Sequence, residues 1–130
     1  MDKKILSTAG FFGMTAIILG AFGAHALKKV LSLEQLATFE TGVKYQMYHA
    51  LFLLFLGLNN HLSFKMKKLI LVLTILGIML FSGSIYLLAT DSLNDFNFKI
   101  IGFITPIGGL FLIASWAILM VHYLKKKERF

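Results

Sequence analysis

The sequence contains no cysteine. This absence excludes disulfide bridges, a thiol redox centre and zinc sites built on cysteine. The chain also lacks an H-E-x-x-H zinc-protease motif, a G-x-S-x-G nucleophile elbow and a phosphate-binding Walker loop. An enzyme is therefore the weaker of the functional interpretations that the sequence supports.

Charged residues are scarce, at 15% of the 130 residues, whereas hydrophobic residues make up 58%. The mean hydropathy is +0.80, and a water-soluble domain of this size could not bury so much apolar surface. Apolar runs recur at about the 20 residues needed to cross a hydrocarbon core about 30 Å thick. We therefore predict an all-α integral membrane protein. The net charge of +7 does not indicate nucleic acid as a partner, because the lysines stand beside the apolar runs and anchor them.

The apolar runs predict one transmembrane domain over residues 1–130, folded as a four-helix bundle. Its spans are predicted at residues 5–27, 43–58, 69–90 and 100–124. Ser32 and Gln35 match a capping box, so an interfacial helix is predicted over residues 33–42, before the second span. Turn-forming residues follow at 59–61 and 91–95.

Basic residues divide unequally between the two ends of this bundle. Nine lie on the side of the chain termini: Lys3, Lys4, Lys65, Lys67, Lys68, Lys125, Lys126, Lys127 and Arg129. Four lie on the other side: Lys28, Lys29, Lys44 and Lys99. Because basic residues accumulate on the cytoplasmic side of membrane proteins, we predict a multi-pass protein of the cell membrane with both termini cytoplasmic.

The first span resembles an export signal, since Ala24-His25-Ala26 has the A-x-A form of a cleavage site. The apolar stretch over residues 5–23 is nevertheless longer than the 7–15 residues usual in such signals. Small residues also recur along one face of the span, at positions 9, 13, 16, 20 and 24. A face of this kind lets a neighbouring backbone approach closely. We therefore expect a retained helix that packs against another helix or a partner.

Four blocks of the sequence carry a family resemblance: GAFGAHALKK (20–29), ETGVKYQMYHAL (40–51), LFSGSIYLLA (80–89) and ITPIGGLFLIASW (104–116). Together they resemble the YgdD/YwdK-like family of small four-helix integral membrane proteins, and they cover nearly the whole chain in order. That family is known as a domain of unknown function. The resemblance therefore implies the fold and the membrane location, and it implies no reaction and no catalytic residues.

Polar side chains are costly within a bilayer and usually face other helices or a cavity. Many of those in this sequence fall in the half of the predicted bundle away from the termini. The candidate ligand-binding residues are His25, Glu40, Lys44, Tyr45, His49, Ser84, Tyr86 and Pro106. They predict an outward-facing polar pocket.

Individual candidates allow more than one interpretation. Glu40 and Lys44 are four residues apart in the order that favours a helical ion pair. His25 and His49 suit acid–base work or head-group binding, could act as two haem ligands, or could simply hydrogen-bond to neighbouring groups. No metal site and no cofactor is predicted, and haem is the weakest of these options.

Pro106 is expected within the fourth span, where it would leave the Gly102 carbonyl without its usual donor. The result would be an interrupted helix at a binding site, or a simple kink with Gly108 and Gly109 packed against the first span. Ser82-Gly83-Ser84 is expected to allow a similar close contact.

Three functional classes remain. The leading hypothesis is a protein that binds or translocates a lipid-like or amphipathic molecule at the outward pocket, with membrane lipids as partners. The second is an accessory subunit that packs against itself or against another membrane protein through the small-residue face of the first span. The third is a membrane-embedded enzyme that acts on an outer-leaflet substrate, with His49 or His25 as base.

Overall fold

The computed structural model describes residues 2–93 and 99–125 as four long helices joined by short segments. The helices are α1 (Asp2–His25), α2 (Leu33–Leu58), α3 (Phe64–Ala89) and α4 (Ile104–Lys125). Short 3-10 segments lie at Leu27–Lys29, Asp91–Leu93 and Lys99–Phe103. The predicted all-α four-helix bundle is confirmed. Part of the predicted turn over residues 91–95 and the basic residues after Lys125 lie outside the described residues.

Three helices in the described part of the chain, α1, α3 and α4, are long and apolar enough to cross a membrane. Large apolar side chains cover their outer faces, among them Ile17 and Ile113, which are 66% and 65% exposed. Such faces are stable against lipid tails, which are as apolar as the side chains themselves.

Helix α2 is as long as α3, at 26 residues or about 39 Å, but its first half is polar. The sequence predicted a span over residues 43–58 whose helix could begin earlier, with an interfacial helix possible over residues 33–42, and the structure has one continuous helix over both ranges. Its start is the predicted capping box: Ser32 Oγ accepts a hydrogen bond from the Gln35 amide at 3.1 Å, and Gln35 Oε1 accepts one from the Ser32 amide at 3.0 Å.

Each helix packs antiparallel on the helix before it in the sequence. At one end of the bundle Gly57 of α2 contacts Leu6 of α1, and Lys67 of α3 pairs with Asp2 of α1. At the other end Gly23 of α1 contacts Phe39 of α2. We call the end at which α1 and α3 begin and α2 and α4 end the terminal end. The opposite end is the far end.

The small-residue face of α1 packs inside the monomer, against α2. Ala9 and Ala16 are buried, and a Cβ at Gly20 would lie 3.5 Å from the Val43 side chain. Nearer the start of α1, a Cβ at Gly13 would lie 3.8 Å from the Cβ of Ala50. The accessory-subunit hypothesis therefore loses the feature on which it relied. Helix α1 also supplies core side chains, with Ile5 fully buried.

Glycines bring α3 and α4 into backbone contact. A Cβ at Gly108 would lie 2.6 Å from the carbonyl carbon of Leu80 and 2.8 Å from the Cα of Phe81. Gly77 of α3 meets the side chain of Leu112 in the same interface. The expectation that Gly108 packs against the first span is wrong, because its neighbour is α3. Gly83 makes no close contact, with nothing within 4 Å of its Cβ position.

Pro106 does not interrupt a helix, contrary to the sequence-based expectation. Helix α4 begins at Ile104, so Pro106 lies in its first turn. The first four N–H groups of a helix have no intrahelical acceptor, and a proline there removes no hydrogen bond. The start of the predicted fourth span, residues 99–103, is a 3-10 segment.

Candidate functional site

The predicted site residues lie in several separate environments. His25, Glu40 and Lys44 are exposed, and none of the hydrogen bonds or ion pairs within residues 2–93 and 99–125 involves their side chains. The expected ion pair between Glu40 and Lys44 is therefore not formed. His49 and Ser84 are buried, Tyr86 is half-buried, and each has a hydrogen-bond partner on another helix.

Lys44 continues a line of apolar side chains along α2. Tyr48, Leu51 and Phe55 follow it at spacings of four, three and four residues, which place all four on one face of the helix. All four side chains are exposed. The face is thus apolar and aromatic along three turns and ends in a cation on the side of the far end.

This face of α2 forms one wall of a groove whose other wall is α4. The groove has a volume of about 380 Å³. Its lining residues are Tyr48, Leu51, Phe52, Phe55, Trp116 and Leu119. We call it the α2–α4 groove. It opens onto the outer surface of the bundle, because Leu51 and Phe55 are at least half exposed.

An aromatic contact bridges the two walls. The ring of Trp116 lies 4.4 Å from that of Phe52, centroid to centroid, and 6.0 Å from the imidazole of His49. Trp116 Nε1–H donates a hydrogen bond to His49 Nε2 at 3.0 Å. These contacts close the bottom of the groove, since His49 is 4% exposed.

The hydrogen bonds of His49 define its tautomer. Indole nitrogen is a donor only, so Nε2 must accept and carries no proton. The proton therefore lies on Nδ1, which donates to the Tyr45 carbonyl at 2.7 Å. Both ring nitrogens are engaged, and His25 is exposed at the end of α1. His49 therefore has no free ring nitrogen for an iron, and the arrangement of His25 and His49 does not fit a haem held between them.

Tyr45 connects the groove to α3. Its ring makes edge-to-face contacts with Tyr48 and with Phe81 of α3, with centroids 5.4 Å and 5.2 Å apart. The side chain remains 42% exposed. Tyr45 thus extends the aromatic surface of the groove toward the far end, where Lys44 lies.

Gln46 joins three helices and was missed by the sequence analysis. Its Nε2 donates to the Phe12 carbonyl at 2.9 Å and to Thr15 Oγ1 at 2.7 Å, and its Oε1 accepts from Tyr86 Oη at 2.6 Å. Residue Gln46 is 4% exposed. An amide within the predicted span over residues 43–58 was the signal that could have found it, because such a group requires partners on other helices.

Two further hydrogen bonds hold α3 to its neighbours near the far end. Ser84 Oγ contacts Thr105 Oγ1 in the first turn of α4, and Ser82 Oγ donates to the Gly42 carbonyl at 2.8 Å. Pro106 is exposed beside Thr105. Ser84 and Tyr86 thus serve helix packing in this structure, and they do not line the α2–α4 groove.

The buried polar side chains of the described residues are mostly engaged in contacts between helices. The described residues contain no group of three His, Asp or Glu side chains that could hold a metal ion. The buried polar groups near the far end are engaged in hydrogen bonds between helices. The apolar α2–α4 groove lies on the face of α2 that ends in Lys44.

Comparison with known proteins places the chain among membrane proteins without an assigned activity. Residues 19–109 match the family described as "Protein of unknown function (DUF423)". The chain is 35% identical to a UPF0382 membrane protein of Haemophilus influenzae over 128 residues, which are 98% of this chain and 99% of the relative. It is 40% identical to a UPF0382 membrane protein of Staphylococcus saprophyticus, over 95% of this chain and 98% of the relative. The UPF0382 inner membrane protein YgdD of Escherichia coli K12 is 34% identical, over 98% of this chain and 95% of its own length. No solved structure matches the chain.

Proposed function

The chain belongs to the DUF423 family of membrane proteins, and from this premise we propose that it binds a membrane amphiphile in the α2–α4 groove. The acyl chain lies along Leu51, Phe55 and Leu119, and an anionic head group meets Lys44. One observation carries the proposal: a cation and an aromatic groove share one face of α2.

The length of this face supports a lipid as the ligand. From Lys44 to Phe55 the helix rises about 16 Å, at 1.5 Å per residue. Half of a hydrocarbon core about 30 Å thick is about 15 Å. The face therefore has the dimension of one leaflet, with the cation at the head-group side and the aromatic rings beside the acyl chain.

The charge of Lys44 supports an anionic head group. An ammonium at this depth needs a partner or must extend toward the interface. Lys44 has no protein partner among the residues that the structure describes. A lipid phosphate would supply one, and phosphate is a strong acceptor for ammonium groups. Glu40, one turn nearer the helix start, would then meet any amine that the head group carries.

We infer the side of the membrane that the groove faces from the distribution of basic residues in the sequence. In the sequence, nine basic residues adjoin the side of the chain termini and four adjoin the other side, which favours a cytoplasmic location for the termini and a chain that crosses the membrane several times. The groove and Lys44 would then face the outer leaflet. Because the groove spans about one leaflet, it supports binding more than translocation across both.

The test uses the single tryptophan of the chain. Trp116 is the only tryptophan and lines the groove, so bromine atoms on an acyl chain bound there will quench its fluorescence. The purified protein in mild detergent is titrated with brominated phosphatidylglycerol. We expect saturable quenching, and we expect Lys44→Gln to weaken the apparent affinity by about tenfold, which corresponds to about 1.4 kcal/mol.

The matched control is Lys28→Gln, which removes an exposed lysine of the same end that lies outside the groove. Its affinity should equal that of the parent. Quenching that does not saturate, or that is identical in the parent and in Lys44→Gln, would overturn the proposal. Native mass spectrometry of the same samples identifies the lipid carried from the cell membrane. A carried lipid retained equally by both variants would also contradict a head-group role for Lys44.

A further inference from the structure

A second groove lies between α3 and α4, at the terminal end of the bundle. Its volume is about 380 Å³. Its lining residues are Met66, Ala117, Ile118, Val121, His122 and Lys125. We call it the α3–α4 groove. Ile118 and Val121 lie about 200° and 140° around α4 from Trp116, at 100° per residue, so the two grooves occupy different faces of that helix.

One buried atom in this groove lacks a hydrogen-bond partner. The Nε2 atom of His122 is shielded from solvent and is without a partner among the described residues. Buried polar groups are nearly always paired, because a nitrogen taken out of water loses its hydrogen bonds there and needs a replacement. The other side chains around the groove are apolar apart from Lys125. A partner for Nε2 would therefore come from a molecule that enters the groove.

The charge around the groove is positive. Lys125 lies at its mouth in the last turn of α4, and the exposed Lys65 precedes Met66 on α3. The nearest acidic side chain of the terminal end in the described chain, Asp2, is already paired with Lys67 at 2.9 Å. Basic pockets between transmembrane helices favour the head groups of acidic lipids.

We propose that the α3–α4 groove binds one acidic phospholipid of the leaflet at the terminal end. His122 Nε2–H donates to a phosphate oxygen, Lys125 pairs with the same phosphate, and an acyl chain fills the groove along Ile118 and Val121. A phosphodiester has acceptors only, so its recognition requires the tautomer of His122 that carries the proton on Nε2. This site is independent of the α2–α4 groove and lies at the opposite end of the bundle.

The bound lipid would also complete the packing of α4. Helix α4 is the least buried of the three long apolar helices, since only 17% of its most apolar 18-residue stretch is buried inside the protein. Its glycine contact with α3 lies near the far end, at Gly108. A lipid between Met66 and Lys125 would hold the two helices together at the terminal end. Binding to the folded form alone raises stability in proportion to the logarithm of ligand concentration.

The experiment places a tryptophan in this groove and removes the native one. In the variant Trp116→Phe/Val121→Trp, tryptophan fluorescence comes only from position 121, which is 40% exposed in the parent and lines the groove. The delipidated protein in mild detergent is titrated with brominated phosphatidylglycerol and, separately, with brominated phosphatidylcholine. We expect saturable quenching by both lipids, with phosphatidylglycerol preferred by at least about fivefold.

In this background, Lys125→Gln and His122→Ala should each remove most of the preference. The controls His61→Ala and Lys29→Gln change an exposed histidine of the same end and an exposed lysine of the far end, and both should retain it. Lys125 is exposed, so Lys125→Gln tests the site even if His122→Ala folds poorly. Equal quenching by the two lipids, or a preference unchanged by Lys125→Gln, would overturn the proposal.

Inorganic phosphate distinguishes a lipid from a small anion. If phosphate at millimolar concentration displaces the brominated lipid as well as unlabelled phosphatidylglycerol does, the groove is an anion site and the lipid proposal is wrong. Lys44→Gln should leave the preference at position 121 unchanged, so the failure of one groove to bind lipid is separable from the failure of the other.

Discussion

Trp116 of α4 donates the hydrogen bond from its indole nitrogen to Nε2 of His49, 67 residues earlier in the chain, at 3.0 Å. The bond joins α2 to α4, two helices that both pack on α3. It also leaves His49 with one tautomer and one orientation. The bottom of the α2–α4 groove therefore depends on this pair.

The energetic coupling of this pair is measurable. We expect Trp116→Phe and His49→Leu each to lower the free energy of unfolding, because the first leaves Nε2 of the buried His49 without its donor and the second leaves the Trp116 indole N–H without its acceptor. A double-mutant cycle should give a coupling of about 0.6–1.7 kcal/mol, the range of hydrogen bonds between transmembrane helices. The measurement is reversible unfolding in mixed micelles. In the control cycle, Trp116→Phe and His61→Leu should add, since His61 is exposed.

The loss of stability caused by Gln46→Leu should be partly rescued by a second substitution, Tyr86→Phe. Gln46→Leu leaves the hydroxyl of Tyr86 without its acceptor, so we expect a loss of about 1–3 kcal/mol in stability. Thr15 keeps an acceptor, because its hydroxyl also lies 2.9 Å from the Phe11 carbonyl. The double variant Gln46→Leu/Tyr86→Phe should therefore recover part of the loss, as measured by thermal unfolding in detergent. A double variant less stable than Gln46→Leu alone would contradict this account.

Two adjacent glycines should differ in their tolerance of alanine. Gly108→Ala inserts a methyl group into the backbone of α3, and we expect it to destabilise the bundle by about 1–3 kcal/mol through overpacking. Gly109→Ala is the matched control, because its Cβ would lie 3.5 Å from the Phe81 ring, an ordinary contact. It should be neutral or slightly stabilising, since alanine favours the helix. Equal effects of the two substitutions on the unfolding midpoint would show that the backbone contact is not limiting.

The proposed orientation can be tested with single cysteines, because the native chain has none. We expect Lys28→Cys, at the far end, to react with a membrane-impermeant maleimide on intact cells. His61→Cys, at the terminal end, should react only after the membrane is permeabilised. Both positions are exposed in the structure, so solvent access does not distinguish them. The reverse pattern of labelling would place the termini outside and move the α2–α4 groove to the inner leaflet.

The sequence was sufficient for the parts of the fold that depend on local chemistry. Hydropathy indicated four helices, and the pair of Ser32 and Gln35 correctly located the start of α2. The sequence was less informative about where a helix begins when the residues before the helix are as apolar as the helix itself. Residues 99–103 are as apolar as the helix that follows, so Pro106 was expected within a span and instead lies in the first turn of α4.

The contacts between helices depend on how each helix is rotated about its own axis, and composition does not specify that rotation. Tyr45 and His49 share one face of α2, yet His49 turns to Trp116 and Tyr45 to Phe81, because each has a different neighbour in space. Gln46 was overlooked for the same reason, since its three partners lie on α1 and α3. Of the candidate residues, Lys44 shares a face of α2 with the lining of the α2–α4 groove and Tyr45 contacts Tyr48 of that lining, while the apolar lining itself was not anticipated.

The order of packing along the chain has a consequence for how the protein enters the membrane. Each helix docks on the one synthesised before it, so the bundle can assemble as the polypeptide emerges. The hydroxyl of Thr74 lies 2.7 Å from the carbonyl of Ile70 in its own helix and 3.0 Å from Ser115 of α4, and Ser115 lies 3.1 Å from the Phe111 carbonyl. Both hydroxyls can thus be satisfied within a lone helix in lipid, and Thr74 can exchange its acceptor when α4 arrives. Insertion therefore need not wait for assembly.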